Sequence, residues 1–353
     1  MKLLHIINSL EIGGAQRLLS DILPLLAKDN QVTLLVNKEV DNDFTQKVKD
    51  AEVKVITTGC HSLYNPKNIW RIARLARGYD VVHVHLFPMV YWAAFASLLM
   101  PMRLIYTEHN TTNRRREKWY LRPIEQFVYK RYQKVISISQ QTQDALTEWL
   151  KTKKNDPRFV VINNGINISA FQNLVFNKIY PHTMIMVSRF AAQKDQGTVI
   201  KAMRLLPEDV HVIFVGDGIN FDMCKDLAQS LGVEERTHFV GAQADVASWI
   251  AKADIGVQSS IWEGFGLTAV EMMVAGLPVV ASDVDGLKQV VEGGGILFEV
   301  GNSEDLARQI TLLLNDNHYY HEVAKRCKDR AEHYDISKMA KQYVKLYRDL
   351  YNG

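Results

Sequence analysis

"DIGVQSSIWEGFGLTAVEMMVAGLPVVASD", residues Asp254–Asp283, holds two apolar runs around a Gly-Phe-Gly turn and a short stretch of helical period. Gly276 and Pro278 close that stretch as a helix end. The segment predicts strand, loop, helix, strand. Two strands joined by a helical crossover run parallel, and continuous apolar strands of this kind are covered on both faces. The same stretch holds two glutamates, Glu263 and Glu271. A carboxylate in such surroundings costs several kcal/mol unless it is paired. Thr268-Ala-Val-Glu271 matches a capping box, with Thr268 as N-cap and Glu271 at N3. Glu263, Gly264 and Gly266 fall outside that reading. Glycines before a helix let a ligand approach the backbone, and the amides of Gly266, Leu267 and Thr268 suit an anion. A carboxylate there accepts hydrogen bonds from a vicinal diol, so a phosphorylated sugar fits the segment as a whole.

The strand–helix alternation continues outward on both sides. Upstream the runs are LLHIINSL, QVTLLVN, VKVITTG, VVHVHLF, RLIYTEH, KVISIS and FVVINNG; then come TMIMVSRF, VHVIFVGDG and THFVG. Two such series predict two doubly wound α/β domains, with ligands at the carboxyl ends of the strands. At 353 residues the chain is also longer than one hydrophobic core usually holds. The aperiodic stretch 166–183 reads as the linker. The expected domains are 1–170, 171–335 and a C-terminal helix, 336–353, that returns to the first domain.

Composition narrows the classes. The 47% hydrophobic and 23% charged residues exclude a disordered chain, and a net charge of +3 argues against a nucleic-acid partner. Cys60, Cys224 and Cys327 form no CxxC pair, which fits a reducing compartment. MKLLHIINSLEIGG reads as a first strand and not as a signal peptide. The most apolar stretch, Met89–Met100, stops at Pro101, short of the ~18 residues a bilayer span needs, and reads as a buried helix. The expected location is cytoplasmic.

Several polar groups fall at strand ends. Arg189 follows MIMVS and Lys194 follows as a helix begins; an arginine fork and a lysine point charge suit a diphosphate. No carboxylate cluster lies beside them, so these cations would serve where other enzymes use Mg²⁺. Asp283-Val-Asp285 has the D-x-D form of a metal site, but such tripeptides arise by chance, as does Asp41-Asn-Asp43. Gly13-Gly14 sits between a strand and a helix without completing a dinucleotide fingerprint. His109 ends RLIYTE, and of His83 and His85 at least one faces the core. Residues 103–134 carry nine basic and three acidic residues interleaved with Trp119, Tyr120, Phe127, Tyr129 and Tyr132. That segment suits an anionic membrane surface or a phosphorylated acceptor.

EGFGLTAVE, together with the Gly-Gly start, DVVHVH, YTEHN, VISIS, VINNGIN, SRFAAQKD, VGDG and HFVG in this order, resembles glycosyltransferase family 4. Its members are retaining enzymes with the GT-B fold and an E-x7-E motif. The resemblance covers nearly the whole chain. It implies two Rossmann-like domains facing across a cleft, with a nucleotide sugar, UDP-sugar favoured, on the C-terminal one. It places Glu271 on the ribose hydroxyls and Glu263 against the donor sugar. The backbone from Phe265 through Gly266, Leu267 and Thr268 falls on sugar and phosphate, Arg189 and Lys194 on the diphosphate, and His109 faces the sugar. Gly14 lies near the diphosphate, and Gly216, Asp217 and Val240 near the base. Glu263, His109, Arg189 and Lys194 carry the catalysis. No metal or other cofactor is implied. The acceptor would be a glycan or lipid-linked molecule of surface polysaccharide synthesis, with possible peripheral membrane contact at the inner face. Four departures stand out: Gln258 replaces a proline, Ser188-Arg189-Phe190 stands for Gly-Arg-Leu, Ala192-Gln193-Lys194-Asp195 for Pro-x-Lys-Gly, and Gln289 replaces a glutamate. A nucleotide-sugar epimerase and a non-catalytic nucleotide-sugar-binding subunit share this architecture and remain alternatives.

Overall fold

A computed structural model describes residues 1–11, 13–111, 113–153, 155–172 and 174–353. The chain divides into two compact units, Met1–Gly165 with Ile336–Gly353, and Ile166–Asp335. The first boundary falls at Gly165, where the backbone passes so close to Ile336 that a Cβ would lie 2.5 Å from its Cα.

In the first unit the strands are β1 (Lys2–Ile7), β2 (Gln31–Val36), β3 (Lys54–Thr57), β4 (Val81–His85), β5 (Leu104–Glu108), β6 (Lys134–Ser137) and β7 (Phe159–Val161). All pair in parallel, in the order β3-β2-β1-β4-β5-β6-β7. Side chains alternate between the faces. Leu4, Ile6, Val82, Val84, Leu104 and Tyr106 join one core. Leu3, Ile7, Val81 and Ile105 join the other, together with Met339, Tyr343 and Tyr347 of the C-terminal helix Ile336–Asn352. Burying each such aliphatic side chain contributes roughly 1.5–3 kcal/mol, and that is why these strands read as largely apolar runs, interrupted by buried polar residues such as His5, His83 and Thr107.

The second unit holds β8 (His182–Val187), β9 (Val210–Val215), β10 (Thr237–Phe239), β11 (Ile255–Gln258), β12 (Val279–Ser282) and β13 (Ile296–Phe298). Its parallel sheet runs β10-β9-β8-β11-β12-β13. The sequence reading missed β13, three residues long and preceded by Gly293-Gly294-Gly295. Met89–Met100 forms a buried helix only to Ala96, and Leu98 and Leu99 beyond it are exposed. Among the described residues, no helix is long and apolar enough to cross a membrane.

Candidate functional site

Each cluster of site residues follows the carboxyl end of a parallel strand, so the topology alone brings them to one sheet edge within each unit. In the second unit the order reverses between β8 and β11, and the polar loops after these strands carry Arg189, Lys194 and Glu263.

The capping-box expectation is corrected. The helix after β11 runs Leu267–Val274, and its N-cap is Gly266 in the left-handed region at φ 84°. Thr268 therefore stands at the second helical position, and Glu271 lies too far in to reach back as a capping partner. The Thr268 hydroxyl instead donates to the Gln258 amide oxygen at 3.1 Å. Gln258, in the place of a proline, thus ties the helix start to the end of β11. The amides of Leu267 and Thr268, in the first turn, lack intrahelical acceptors and face outward along the dipole. Glu271 is buried, at 2% exposure.

The Phe265 ring is buried and packs edge-on against Tyr334 at 5.4 Å. Only its backbone is available to a ligand. The loop 263–266 is pressed against the helix Asp285–Val291. A Cβ on Gly286 would lie 2.1 Å from the Glu263 carbonyl oxygen, and one on Gly266 2.5 Å from Leu287. Ser282 Oγ accepts from the Ser260 backbone N at 2.8 Å and donates to its carbonyl at 2.9 Å. These contacts hold the loop that carries Glu263, and neither Gly286 nor Ser282 was singled out from the sequence.

Lys194 and Glu263, assigned to separate jobs by sequence, form one ion pair; their side chains are only 12% and 14% exposed. Lys194 Nζ also reaches Ser260 Oγ at 3.3 Å. Asp195, where a glycine was expected, is the N-cap of the helix Gln196–Met203 and accepts from Thr198 N at 3.1 Å. The aspartate thereby anchors the turn that presents Lys194. Arg189 is exposed, and its carbonyl accepts from Gln196 at 3.0 Å.

Gly216, at φ 142°, lies where a Cβ would sit 1.9 Å from the Ser188 carbonyl oxygen. No side chain fits there, so the β9 end and the Arg189 loop are locked together. Phe190 N donates to the Asp217 carbonyl at 3.0 Å, in the same lock. Val240 is half-buried beyond β10, with its carbonyl held by Gln243 at 2.6 Å. Asp283 pairs with Lys288 at 3.1 Å.

In the first unit Gly14 opens the helix Gly14–Ala27 after an extended Gly13, and it is exposed. His109 follows β5 and its Nε2 lies 3.2 Å from His85 Nδ1. His83 and His85 are both buried. Burial holds His5 down to about 3 and His109 to about 4, and it lowers His83 and His85 well below the ordinary range, so all four are neutral near pH 7.

The basic segment divides into two sets. Arg116 pairs with buried Glu108 at 2.6 Å, and Arg115 with buried Glu125 at 2.8 Å. Tyr129 also donates to Glu108, and Tyr91 and Trp149 to Glu125. Two of the three consecutive arginines are therefore internal counterions. Arg114, Lys118 and Lys130 are exposed, beside exposed Trp119, Tyr120, Ile124 and Phe127.

Two family models match this chain: Glycosyltransferase Family 4 over residues 12–170 and Glycosyl transferases group 1 over residues 175–334. The N-acetyl-alpha-D-glucosaminyl L-malate synthase of Bacillus anthracis is 31% identical over 172 residues, 47% of this chain and 45% of that protein. The N,N'-diacetylbacillosaminyl-diphospho-undecaprenol alpha-1,3-N-acetylgalactosaminyltransferase of Campylobacter jejuni subsp. jejuni is 27% identical over 166 residues, 46% of this chain and 44% of that protein. The chain thus spans just under half the length of these two curated relatives. The crystal structure of Anabaena HepE in complex with UDP and glucose superposes with a TM-score of 0.84 at 24% identity, covering 99% of this chain and 100% of that one. That likeness shows the shared GT-B fold of two Rossmann-like domains. The two family models between them cover both units, and the chain belongs to the group 1, family 4 glycosyltransferases.

Proposed function

We propose that the protein transfers a sugar from a nucleoside diphosphate sugar, a UDP-sugar in preference, to a glycan or lipid-linked acceptor with retention at the anomeric carbon and without a metal. The observation that carries this reading is the arrangement around β8 and β11: Arg189, Lys194 and the first-turn amides of the helix Leu267–Val274 follow strand ends on either side of the switch point. These groups suit a leaving diphosphate, with positive charge supplied by side chains where other transferases use an ion. Glu271 is assigned the ribose hydroxyls and Glu263 the donor sugar. In the reaction the acceptor oxygen bonds to the anomeric carbon as the bond to the diphosphate oxygen breaks. The acceptor proton passes to that departing oxygen. The first unit is assigned the acceptor. The solved relative holding UDP and glucose supports the donor class, and the undecaprenol-linked relative supports a lipid-linked acceptor.

A thermal-shift panel of UDP, GDP, ADP and their sugars, with and without EDTA, tests the donor site. One nucleotide class should raise the melting temperature regardless of EDTA, by about 2.7 kcal/mol of stabilisation at a hundred-fold excess over Kd. Glu271→Ala should abolish the shift. Binding that persists in Glu271→Ala, or that needs a divalent ion, refutes the corresponding assignment.

For the lipid-linked acceptor, the exposed set Trp119, Tyr120, Ile124 and Phe127 with Arg114, Lys118 and Lys130 is proposed as a peripheral contact with an anionic membrane at the cytoplasmic face. Tyr120, Ile124 and Phe127 share helical spacing, and Trp119 is 77% exposed. Each cation near such a surface contributes about 1 kcal/mol. Arg114→Ser with Lys118→Ser should therefore weaken binding to phosphatidylserine vesicles roughly tenfold or more, and added salt should mimic the loss. Changing Arg115 or Arg116 would instead unbalance buried Glu125 or Glu108. Vesicle binding that ignores both salt and these substitutions removes the membrane contact.

A further inference from the structure

The mechanism proposed above leaves a row of buried polar side chains in the first unit unused. His5 and His83 are register partners on β1 and β4, and His85 and Thr107 are partners on β4 and β5. Alternation puts all four on one face, and His109, two residues past Thr107, continues it. The C-terminal helix covers that face. Two separate hydrogen-bond chains result. In one, Tyr347 Oη meets His83 Nδ1 at 2.6 Å, His83 Nε2 meets Thr107 Oγ1 at 2.7 Å, and Thr107 meets Tyr343 Oη at 3.2 Å. In the other, His5 Nδ1 meets His85 Nε2 at 3.2 Å, and His85 Nδ1 meets His109 Nε2 at 3.2 Å.

The second chain has a direction. A neutral imidazole has one N–H and one lone pair, so His85 must donate to one neighbour and accept from the other. The end of the chain decides which. His5 is fully buried, and its Nε2 has no hydrogen-bond partner among the described residues. A proton there would be an orphaned buried donor, which proteins tolerate less than an unused lone pair. The proton therefore sits on His5 Nδ1 and is donated to His85 Nε2. His85 then carries its proton on Nδ1 and donates to His109 Nε2. His109 is left with its own proton on Nδ1.

We propose that His5 and His85 are positioning residues that hold His109 as the Nδ1–H tautomer, a neutral hydrogen-bond donor for an oxygen of the sugar substrate. Its use on a sugar rests on the function proposed above; the tautomer does not. His109 in this form donates a hydrogen bond and leaves proton transfer to the departing diphosphate. The same rings could suggest a metal centre, since ligand atoms of His5, His83 and His85 lie within 4.8 Å of one another. Against it, both nitrogens of His83 are engaged, and the His5 and His85 rings lie within 11° of parallel while sharing a hydrogen bond.

Imidazole nitrogen-15 spectra of the full chain near pH 7.5 test the proposal. In the wild type, His109 should be protonated at Nδ1 and bare at Nε2. His85→Leu removes the N–H that His109 Nε2 accepts and should move His109 toward the Nε2–H form, whereas His85→Asn, whose amide nitrogen replaces Nδ1–H, should restore it. In a donor-consumption assay His85→Leu should lose roughly 3- to 10-fold in kcat/KM, the weight of one hydrogen bond. An Nε2–H His109 in the wild type, or a tautomer indifferent to His85→Leu, overturns the proposal. So does added Zn²⁺ that shifts His5, His83 and His85 together. If His85→Leu does not fold, the wild-type and His85→Asn spectra decide. A correct tautomer in a protein that binds no nucleotide sugar would refute the functional reading and leave the histidine chain standing.

Discussion

Arg189→Ala is expected to lower kcat by about 10²–10³ while leaving the fold intact. Removing one preorganised donor from developing negative charge typically costs ~3–4 kcal/mol of transition-state stabilisation. Arg189 is exposed, and among the described residues its guanidinium has no ion-pair partner, so stability should change by less than about 0.5 kcal/mol. Lys194→Ala should lose turnover to a similar extent but behave differently in melting. Its partner Glu263 would keep a largely buried charge without a counterion, and a pair broken on one side destabilises far more than an exposed residue does. The comparison separates the two roles in one pair of variants. Single-turnover transfer rates and thermal melts of both proteins check it; an Arg189→Ala enzyme with near-normal turnover excludes this residue from the mechanism.

The second large effect is acid lability of the first unit. His5 and His109 are held to about 3 and about 4, against 6.5 in an unfolded chain, because burial disfavours the imidazolium. His83 and His85 are lowered in the same sense. Between those values and 6.5 the unfolded chain binds more protons than the native one, so stability falls as pH falls. It is complete above pH 6.5 and drains away through the folded values. Each such histidine weakens the fold by ~1.4 kcal/mol per pH unit, on the order of 3 kcal/mol at pH 4 for His5 and for His109. The groups packed against the cluster do not offset this: Thr107 does not titrate, and burial keeps Tyr343 and Tyr347 neutral by raising them. Amide exchange followed from pH 7 to 4.5 should show the strands β1, β4 and β5 opening progressively more often. Protection that stays flat below pH 6.5 contradicts the assignment of these histidines as neutral.

Much of the fold was legible because parallel strands buried on both faces are mostly apolar, and helices between them keep a different period. Every strand of the first unit was marked by such a run. β13 was not, since three residues beside three glycines carry too little pattern. The start of the helix after β11 was misplaced by the T-x-x-E signature. A left-handed Gly266 caps it, and the Thr268 hydroxyl had a nearer acceptor in Gln258. The arginine run read as a charged surface because charge is visible in sequence but its partner is not. Glu108 and Glu125 turn two of those arginines inward.

By itself, the sequence determined the two doubly wound domains and the strand ends that carry polar groups, since periodicity and turn residues act over a few neighbours. Only the tertiary structure decided that Lys194 meets Glu263 across 69 residues. It also decided that Gly286 packs on the Glu263 loop, that Phe265 turns inward, and that histidines of β1, β4 and the loop after β5 join end to end. Those contacts depend on strand register and loop approach, which bring together residues whose local patterns say nothing of one another.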